Sequence, residues 1–543
     1  MSDFMKSPVP LMMMLLYICA VVYLSYRASQ KASKKALAKG GETFEDFYTG
    51  GKSMNGFVVA LITIVTFYSG TTFTGRTGFF VNVGVVSLNT LFCCSMTGVI
   101  MYFLSEKIWP LSKKYRLSTL SDMLELRYQS KGIKLLTGLI IVCFNVIWLI
   151  TEIRTLGIAM QVASGGILTI KMGSLIAFTI IILYVMTGGV HSVAVVDSFS
   201  SLLMLFGSIV TLIYIVVHFY DGAFFGMIEA GFEAKKEIMI INSDMQYNMP
   251  YFASGIVVST IVMLVYPSNY MSICLAKSTR EVKKSAIITS LSGPWLVIYA
   301  FLGFAILGAP GIGIQISDPQ SGVLELASKS GSALVLGLVS TFILAASLGT
   351  LDSTLISLSG LLSNDVITNG YRIIEKAPCI GSDGDDVTTI KKRTESNATK
   401  EIWRTRIIVL VLGVIALIFS FTELPMLVLL ANHASNGMIQ LVPAVIGGLY
   451  WKKATPQGAI SSIVGGVGFY LGFDAWIHAN GLSLGGLYTG IPGIIFSAVV
   501  FVVVSQLTHK KYYREHQAYT YIYEDFFVKG KVETYIKNNM SEF

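Results

Sequence analysis

The feature that most constrains this chain is a series of apolar runs, each about as long as a membrane is thick. A helix needs about 20 apolar residues to cross a hydrocarbon core of about 30 Å. The sequence therefore predicts an all-α polytopic membrane protein with about thirteen transmembrane helices. The predicted spans are 9–26, 54–82, 85–109, 134–163, 168–187, 192–219, 251–276, 284–309, 331–364, 403–421, 424–450, 456–476 and 486–508.

The composition argues against a soluble protein or an enzyme. Hydrophobic residues make up 53% of the chain and charged residues 13%, whereas soluble domains contain about 25% charged residues. The six cysteines show no CxxC spacing, so neither a metal site nor a disulfide framework is indicated. No loop is long enough for a soluble catalytic domain, and the zinc-protease motif HExxH is absent. We therefore expect a protein that is not an enzyme.

The lysines and arginines predict how the chain is oriented. Of the 40, 33 fall in one set of alternate loops and in the tail, and five fall in the opposite set. Basic residues concentrate on the cytoplasmic side of membrane proteins. The prediction is a multi-pass protein of the inner (plasma) membrane, with the N-terminus outside and the C-terminus in the cytoplasm. Because the charges are spread over short loops, a nucleic-acid-binding face is not expected.

Two of the apolar runs contain helix-breaking residues at mid-membrane. One break lies at Ser69-Gly70, within 66–72, and the other at Pro267, within 266–270. Backbone groups freed in lipid must line a cavity or bind a ligand. Without the first helix, the broken segments are members one and six of a ten-helix set, which predicts a five-plus-five inverted repeat with discontinuous helices and a site between them. The alternative is a proline kink in one helix and packing glycines in the other.

The ninth run carries oxygen-bearing side chains in the middle of a predicted helix. Thr350, Asp352 and Ser353 lie close together there, and a carboxylate at that depth calls for a partner, an ion or water. Such hard oxygen ligands suit Na⁺. Asp197 is a second acid within reach, although a helix-terminal acid favoured by the helix dipole is an equally good interpretation.

Short motifs occur along most of the chain, and their order and spacing together are specific. They are Phe47–Met54, Thr119–Leu124, Arg127–Tyr128, Thr187–Gly189, Ala345–Ser357 and Gly447–Lys452. These motifs resemble the sodium:solute symporter family, which contains bacterial proline and pantothenate carriers. Within it, the chain looks closest to the sodium/pantothenate and sodium/proline symporters.

The resemblance implies sodium-coupled import of a small organic solute by alternating access, with an inverted-repeat transport core. The matching first sodium site comprises Val65, Tyr68, Ala346, Gly349 and Thr350. Family members usually have a hydroxyl residue where this chain has Gly349, so a serine there is expected to supply a further ligand. A second sodium site, present in some members, corresponds to Asp197, Asp352 and Ser353.

The resemblance places the solute pocket between the broken helices and the helices that face them. Arg154 is predicted either to bind a solute carboxylate or to make a structural pairing, whereas Arg76 is expected to be a vestibule or structural charge. The solute is expected to be a carboxylate, a vitamin or an amino-acid-like molecule. The pocket candidates are Thr66, Phe67, Ser69, Tyr266, Ser268, Asn269, Tyr270, Arg154, Asn432 and Asn436.

The resulting domain plan has four parts. Residues 1–53 form an N-terminal helix and cytoplasmic loop, 54–450 the transport core, 451–508 peripheral helices and 509–543 a cytoplasmic tail. Two alternatives remain open: a transporter-like sensor that works with a separate signalling partner, and a carrier coupled to protons. Ion-dependent solute uptake in vesicles distinguishes them.

Overall fold

A computed structural model describes residues 7–37, 44–241, 247–375, 379–380, 398–422 and 424–515. These residues are helical almost throughout, and their β-structure is limited to an isolated bridge between Met54 and Ala276. The loop residues 381–397, which include Asp383, Asp385 and Asp386, and the part of the predicted tail from 516 onward lie outside the described residues. The α-helices are α1 (Val9–Leu37), α2 (Phe44–Thr49), α3 (Gly56–Phe67), α4 (Thr77–Val83), α5 (Leu91–Tyr115), α6 (Leu120–Tyr128), α7 (Lys131–Ala163), α8 (Ile170–Phe219), α9 (Phe224–Ala234), α10 (Met249–Ile261), α11 (Pro267–Leu275), α12 (Thr279–Ser292), α13 (Ile298–Gly308), α14 (Gly322–Lys329), α15 (Ala333–Gly360), α16 (Asn369–Ile374), α17 (Ala398–Ser420), α18 (Leu427–Met438), α19 (Val442–Tyr450), α20 (Pro456–Ala479) and α21 (Gly490–Glu515).

The helices confirm an all-α polytopic membrane protein. In the described part of the chain, nine helices are long and apolar enough to cross a membrane, and a bent pair formed by α10 and α11 makes ten. Apolar helix α3 and the stretch Ile170–Leu183 at the start of α8 are shorter. The number thirteen therefore stays a prediction.

The first predicted break is present, and it lies at Tyr68 and Ser69. Helix α3 ends at Phe67 because Tyr68 has φ −99° and ψ 60°. The chain then passes through Ser69 and Gly70 into a π-helical turn, Thr72–Arg76. A Cβ atom at Gly70 would lie 1.8 Å from Ser347 Oγ of α15, so glycine permits the broken end to touch that helix.

The second predicted break is also present. After α10 a single 3₁₀ turn leads to Tyr266, whose ψ of 121° is extended, and Pro267 starts α11. The two halves are bent by 46°. The side chain of Asn269 donates to the Met263 carbonyl oxygen at 2.8 Å, so it satisfies a backbone acceptor that the break has freed.

Helix α15 is the central element of the molecule. It packs against α1, α3, α7 and α8, and nearly every side chain from Leu336 onward is buried. Its 28 residues rise about 42 Å before a second π-helical segment, Leu361–Thr368, continues the chain. A helix with neighbours on all sides explains why apolar residues surround its polar positions.

One end of the bundle carries the basic loops, and we call it the basic face. A buried ion cluster closes it: Lys134 Nζ lies 2.6 Å from Asp122, 3.4 Å from Glu125 and 3.8 Å from Asp365. Arg372 donates to both carboxylate oxygens of Glu125 at 2.6 and 2.9 Å. Burial alone would raise the pKa of Asp122, but Lys134 and the amides of the preceding loop hold that pKa below its usual value, so the carboxylate is charged.

Candidate functional site

A small cavity lies between the two broken helices. Its volume is about 50 Å³, which is room for only a few water molecules. A solute can therefore be accommodated only when the surrounding helices move apart. The residues that line this inner cavity are Thr66, Phe67, Ser69, Arg76, Thr90, Cys93, Trp148, Ser259, Val262, Met263, Tyr266, Asn432 and Ser435.

Aromatic rings form one wall of the inner cavity. The ring centroids of Phe67 and Tyr266 lie 5.3 Å apart, and Trp148 meets Tyr266 edge-on at 6.4 Å. Phe67 and Tyr266 belong to the two breaks, so the breaks themselves bring this wall together. Hydroxyl and amide groups occupy other parts of the lining. This combination suits a ligand with an apolar body and a polar end.

A wider cavity opens on the face opposite the basic face. This outer cavity has a volume of about 350 Å³ and is lined by tyrosines together with His433, Asp474 and His478. Asn432 lines both cavities. Its amide donates to the hydroxyl of Tyr488 at 3.1 Å and to that of Tyr251 at 3.4 Å. Asn432 and its two hydrogen bonds therefore belong to the wall that the inner and outer cavities share.

Four of the five residues predicted for the first sodium site lie together where α3 ends against α15. Thr350 Oγ1 donates to the Val65 carbonyl oxygen at 2.9 Å and to the Ala346 carbonyl oxygen at 3.2 Å. All three residues are buried. Gly349 is in contact with Val65, since a Cβ atom there would lie 2.7 Å from both of its methyl groups. Two carbonyls and one hydroxyl thus converge on one point, a donor set that suits Na⁺.

The fifth residue, Tyr68, terminates α3 next to this point. Its amide donates to the Ile64 carbonyl oxygen at 2.8 Å, and its ring turns away from Val65 to stack on Trp295, with centroids 5.3 Å apart. The Tyr68 hydroxyl pairs with Ser292 Oγ at 2.8 Å. This side-chain placement leaves the backbone oxygen of Tyr68 as its candidate ligand.

The residues predicted for the second sodium site also lie together. Ser353 Oγ donates to Asp197 Oδ2 at 2.7 Å, and the Ser353 amide donates to Asp352 Oδ1 at 2.6 Å. The two carboxyl groups are adjacent and fully buried. Asp197 Oδ1 has no hydrogen-bond donor among the described residues. Two neighbouring buried carboxylates repel each other unless a cation or a proton lies between them, so this donor set fits Na⁺.

The predicted solute residues divide into two groups. Thr66, Phe67, Ser69, Tyr266 and Asn432 line the inner cavity. The other five lie outside its lining. Ser268 faces Ser357 of α15 at 3.3 Å, Asn269 caps the Met263 carbonyl, Tyr270 is buried near Cys274, Asn436 lines the outer cavity, and Arg154 donates to the Ser420 carbonyl oxygen at 3.1 Å.

Three residues that matter here are absent from the predicted solute pocket: Arg76, which the sequence predicts to be a vestibule or structural charge, Trp148 and Glu152. Arg76 and Trp148 line the inner cavity, and Glu152 accepts a hydrogen bond from Thr71 Oγ1 at 2.6 Å, just beyond the first break. The signal for Arg76 and Glu152 was present, because an ionisable residue inside an apolar run is a candidate functional group. Trp148 carries no comparable signal, since aromatic residues are common in apolar helices.

Two broken helices around a cavity, with cation-ligand sets on the helix that crosses between them, define a secondary transporter. Residues 47–377 and 384–466 match the sodium:solute symporter family, and the chain belongs to this family. It is a sodium-coupled secondary active symporter of a small solute. The resemblance inferred from the motifs is thus confirmed.

Relatives are similar over almost their whole length. The uncharacterized symporter YodF of Bacillus subtilis is 23% identical over 495 residues, which cover 90% of this chain and 92% of the relative. The sodium/proline symporter of Staphylococcus aureus is 24% identical over 489 residues, or 86% of this chain and 88% of the relative. These relatives are transporters rather than enzymes.

Solved structures show the same fold. A Na⁺-coupled sialic acid symporter in a substrate-bound, outward-open state superposes with a TM-score of 0.70 at 15% identity, covering 92% of this chain and 98% of the other. A nucleobase-cation-symport-1 family transporter in a closed conformation gives a TM-score of 0.52 at 14% identity, with 85% and 95% covered. The predicted inverted-repeat fold with discontinuous helices is confirmed.

Proposed function

We propose that this chain imports a small organic solute that carries a carboxylate and an apolar body. The solute binds in the inner cavity, and Na⁺ binds where α3 ends against α15. The ligands of this first site are Val65, Tyr68, Ala346, Gly349 and Thr350, of which the hydroxyl of Thr350 is the one side-chain ligand. A second Na⁺ binds to Asp197, Asp352 and Ser353.

One observation carries the proposal: the Thr350 hydroxyl reaches across to the Val65 carbonyl at the last turn of α3. The next residue, Thr66, lines the inner cavity. An ion that joins Val65 to Thr350 therefore also fixes the backbone that forms the solute pocket. Na⁺ then raises the affinity for the solute, and the solute raises the affinity for Na⁺ by the same factor. This reciprocal effect couples the binding of the two.

The direction of transport follows from the charge on the two faces. We take the basic face as cytoplasmic, in a plasma membrane, so that the outer cavity opens to the exterior. The buried ion cluster then closes the cytoplasmic side in this conformation, and the solute enters past Asn432. The membrane potential contributes about 2.3 kcal/mol for each net positive charge that moves inward at 100 mV.

The experiment that tests the sodium sites needs no knowledge of the solute. Binding of ²²Na⁺ to the purified protein is measured for the wild type, Thr350→Ala and Asp352→Asn. Removing the neutral ligand is expected to weaken sodium binding about fivefold, and removing the charge about tenfold or more, because a neutral polar group contributes about 1 kcal/mol and a charged one about 1.5–3 kcal/mol.

Ser359→Ala is the matched control. Its hydroxyl is buried in the same helix and donates only within α15, to the Ile356 carbonyl at 2.9 Å, so sodium binding should stay at the wild-type value. If Thr350→Ala and Asp352→Asn also bind sodium like the wild type, the polar residues of α15 serve packing alone. Coupling to protons would then be the better account of transport.

A further inference from the structure

The inner cavity contains a positive charge that the protein itself does not neutralise. Arg76 lies at the end of the π-helical turn after the first break and lines the cavity. Its Nη1 atom is buried and has no hydrogen-bond partner. Among the described residues, Arg76 also makes no ion pair. The side chain as a whole is partly buried, but a buried donor atom without a partner is unfavourable, so this arrangement calls for an acceptor from outside the chain, and an anion suits the positive charge best.

A second unpartnered donor lines the same cavity. The indole nitrogen of Trp148 is buried and makes no hydrogen bond within the described chain. An indole N–H and a guanidinium can donate but cannot accept. The buried unpartnered polar atoms of the cavity lining are therefore both donors, and the ligand that satisfies them must supply acceptors.

The acidic groups nearest to the inner cavity lie outside its lining. Glu152 accepts from Thr71 at 2.6 Å through Oε1, and its buried Oε2 atom makes no hydrogen bond within the described chain. Asp474 lines the outer cavity, where it accepts from Thr489 at 2.6 Å and faces His433 and His478. The lining of the inner cavity thus offers two unpartnered donors, one of which belongs to a cation, and contains no carboxylate that could receive an ammonium group.

We infer that Arg76 is the counter-ion of the transported solute and that the solute is an organic anion. The inference rests on the proposed function, and it deepens that function by naming the recognition group. The carboxylate accepts from Arg76 and Trp148, and the apolar body lies against Phe67 and Tyr266. Arg154, for which the sequence left solute binding and a structural pairing both open, donates to Ser420 of α17.

The test uses full-length protein and pairs of compounds that share a skeleton but differ in charge. Nicotinate is compared with nicotinamide, benzoate with benzamide, and pantothenate with panthenol, by thermal stabilisation titrated in sodium chloride. At least one acid is expected to bind about tenfold or more tightly than its neutral partner. Arg76→Gln should lower the affinity for the acid, relative to its neutral partner, by about ten- to hundredfold, the range for charge-assisted hydrogen bonds. Arg76→Lys should keep part of the preference for the acid.

Arg154→Gln tests the competing assignment and is expected to keep the full preference for the acid. The unfolding midpoint of each variant without ligand shows that the protein is folded. The inference is overturned if the preference survives in Arg76→Gln, if it is lost only in Arg154→Gln, or if none of the three acids binds the wild type.

Repeating the titration in choline chloride separates this inference from sodium coupling. An acid that binds through Arg76 equally well without sodium contradicts the coupling and leaves the counter-ion assignment intact. A neutral compound that binds only with sodium does the reverse, since it supports the coupling and removes the need for Arg76.

Discussion

At position 349 the main chain of α15 lies as close to α3 as two packed helices allow. A Cβ atom on Gly349 would lie 2.7 Å from both methyl groups of Val65 and 3.1 Å from Asp197 Oδ1. Contacts this short force a neighbour to move. The same residue thus touches members of both predicted sodium sites, and its missing side chain is a packing requirement.

Gly349→Ser provides a prediction at this scale. From the sequence, a serine there was expected to add a ligand, but the close contact with Val65 now predicts the opposite. We expect Gly349→Ser and Gly349→Ala each to weaken ²²Na⁺ binding several-fold, because the added carbon displaces the end of α3 from α15.

Val65→Ala is the compensating change. It removes both methyl groups and retains the carbonyl ligand, so Gly349→Ala combined with Val65→Ala should recover much of the lost sodium affinity. Tighter binding by Gly349→Ser than by the wild type would show that the hydroxyl ligand outweighs the crowding.

At the scale of elements, the buried ion cluster joins three parts of the basic face. Helix α6 supplies Asp122 and Glu125, α7 supplies Lys134, and Asp365 lies in the π-helical segment after α15. The Thr119 hydroxyl adds a hydrogen bond to Asp365 at 2.9 Å. The cluster therefore joins three separate parts of the chain at the basic face, and under the proposed function its contacts separate when a solute leaves on that side.

Lys134→Met tests how much this cluster contributes to the stability of the folded protein. Removing one partner of a buried ion pair costs about 3–5 kcal/mol, because the opposite charges stay buried. A marked fall in the thermal unfolding midpoint of the purified protein is therefore expected.

The control for this variant is Lys283→Met, whose ion pair with Glu106 is far more exposed. Exposed pairs contribute about 0–1 kcal/mol, so its midpoint should stay near that of the wild type. If the two lysine substitutions lower the unfolding midpoint equally, the buried cluster contributes no more to stability than an exposed ion pair.

At the scale of the whole molecule, the asymmetry of basic residues predicts which face meets the cytoplasm. Lys453 is exposed on the basic face, and Asn480 is exposed at the opposite end of α20. In a cysteine-free background, a membrane-impermeant maleimide added to intact cells should label Asn480→Cys. Lys453→Cys should react only after the cells are permeabilised.

The reverse labelling pattern would invert the orientation, and with it the direction in which the outer cavity opens. The positive-inside rule reports charge in short loops and contains no information about the fold. Labelling is therefore an independent check on the direction of transport.

The sequence by itself determined the class of fold, the two breaks and the family. The length of each apolar run shows whether it can cross the lipid as a helix. Pro267 and the run around Gly70 interrupt helices for local reasons, which do not depend on what packs beside them. The oxygen groups of Thr350, Asp352 and Ser353 were visible for the same reason, since polar groups stand out within an apolar helix.

Only the tertiary structure decided which of these polar groups face the cavity. Arg76 and Arg154 are both arginines within apolar runs, yet one lines the cavity and the other donates to Ser420. Asn269, predicted to meet the solute, instead caps a carbonyl freed by the break beside it. The partner of a buried polar group depends on which helices pack around it, and that packing joins residues hundreds of positions apart.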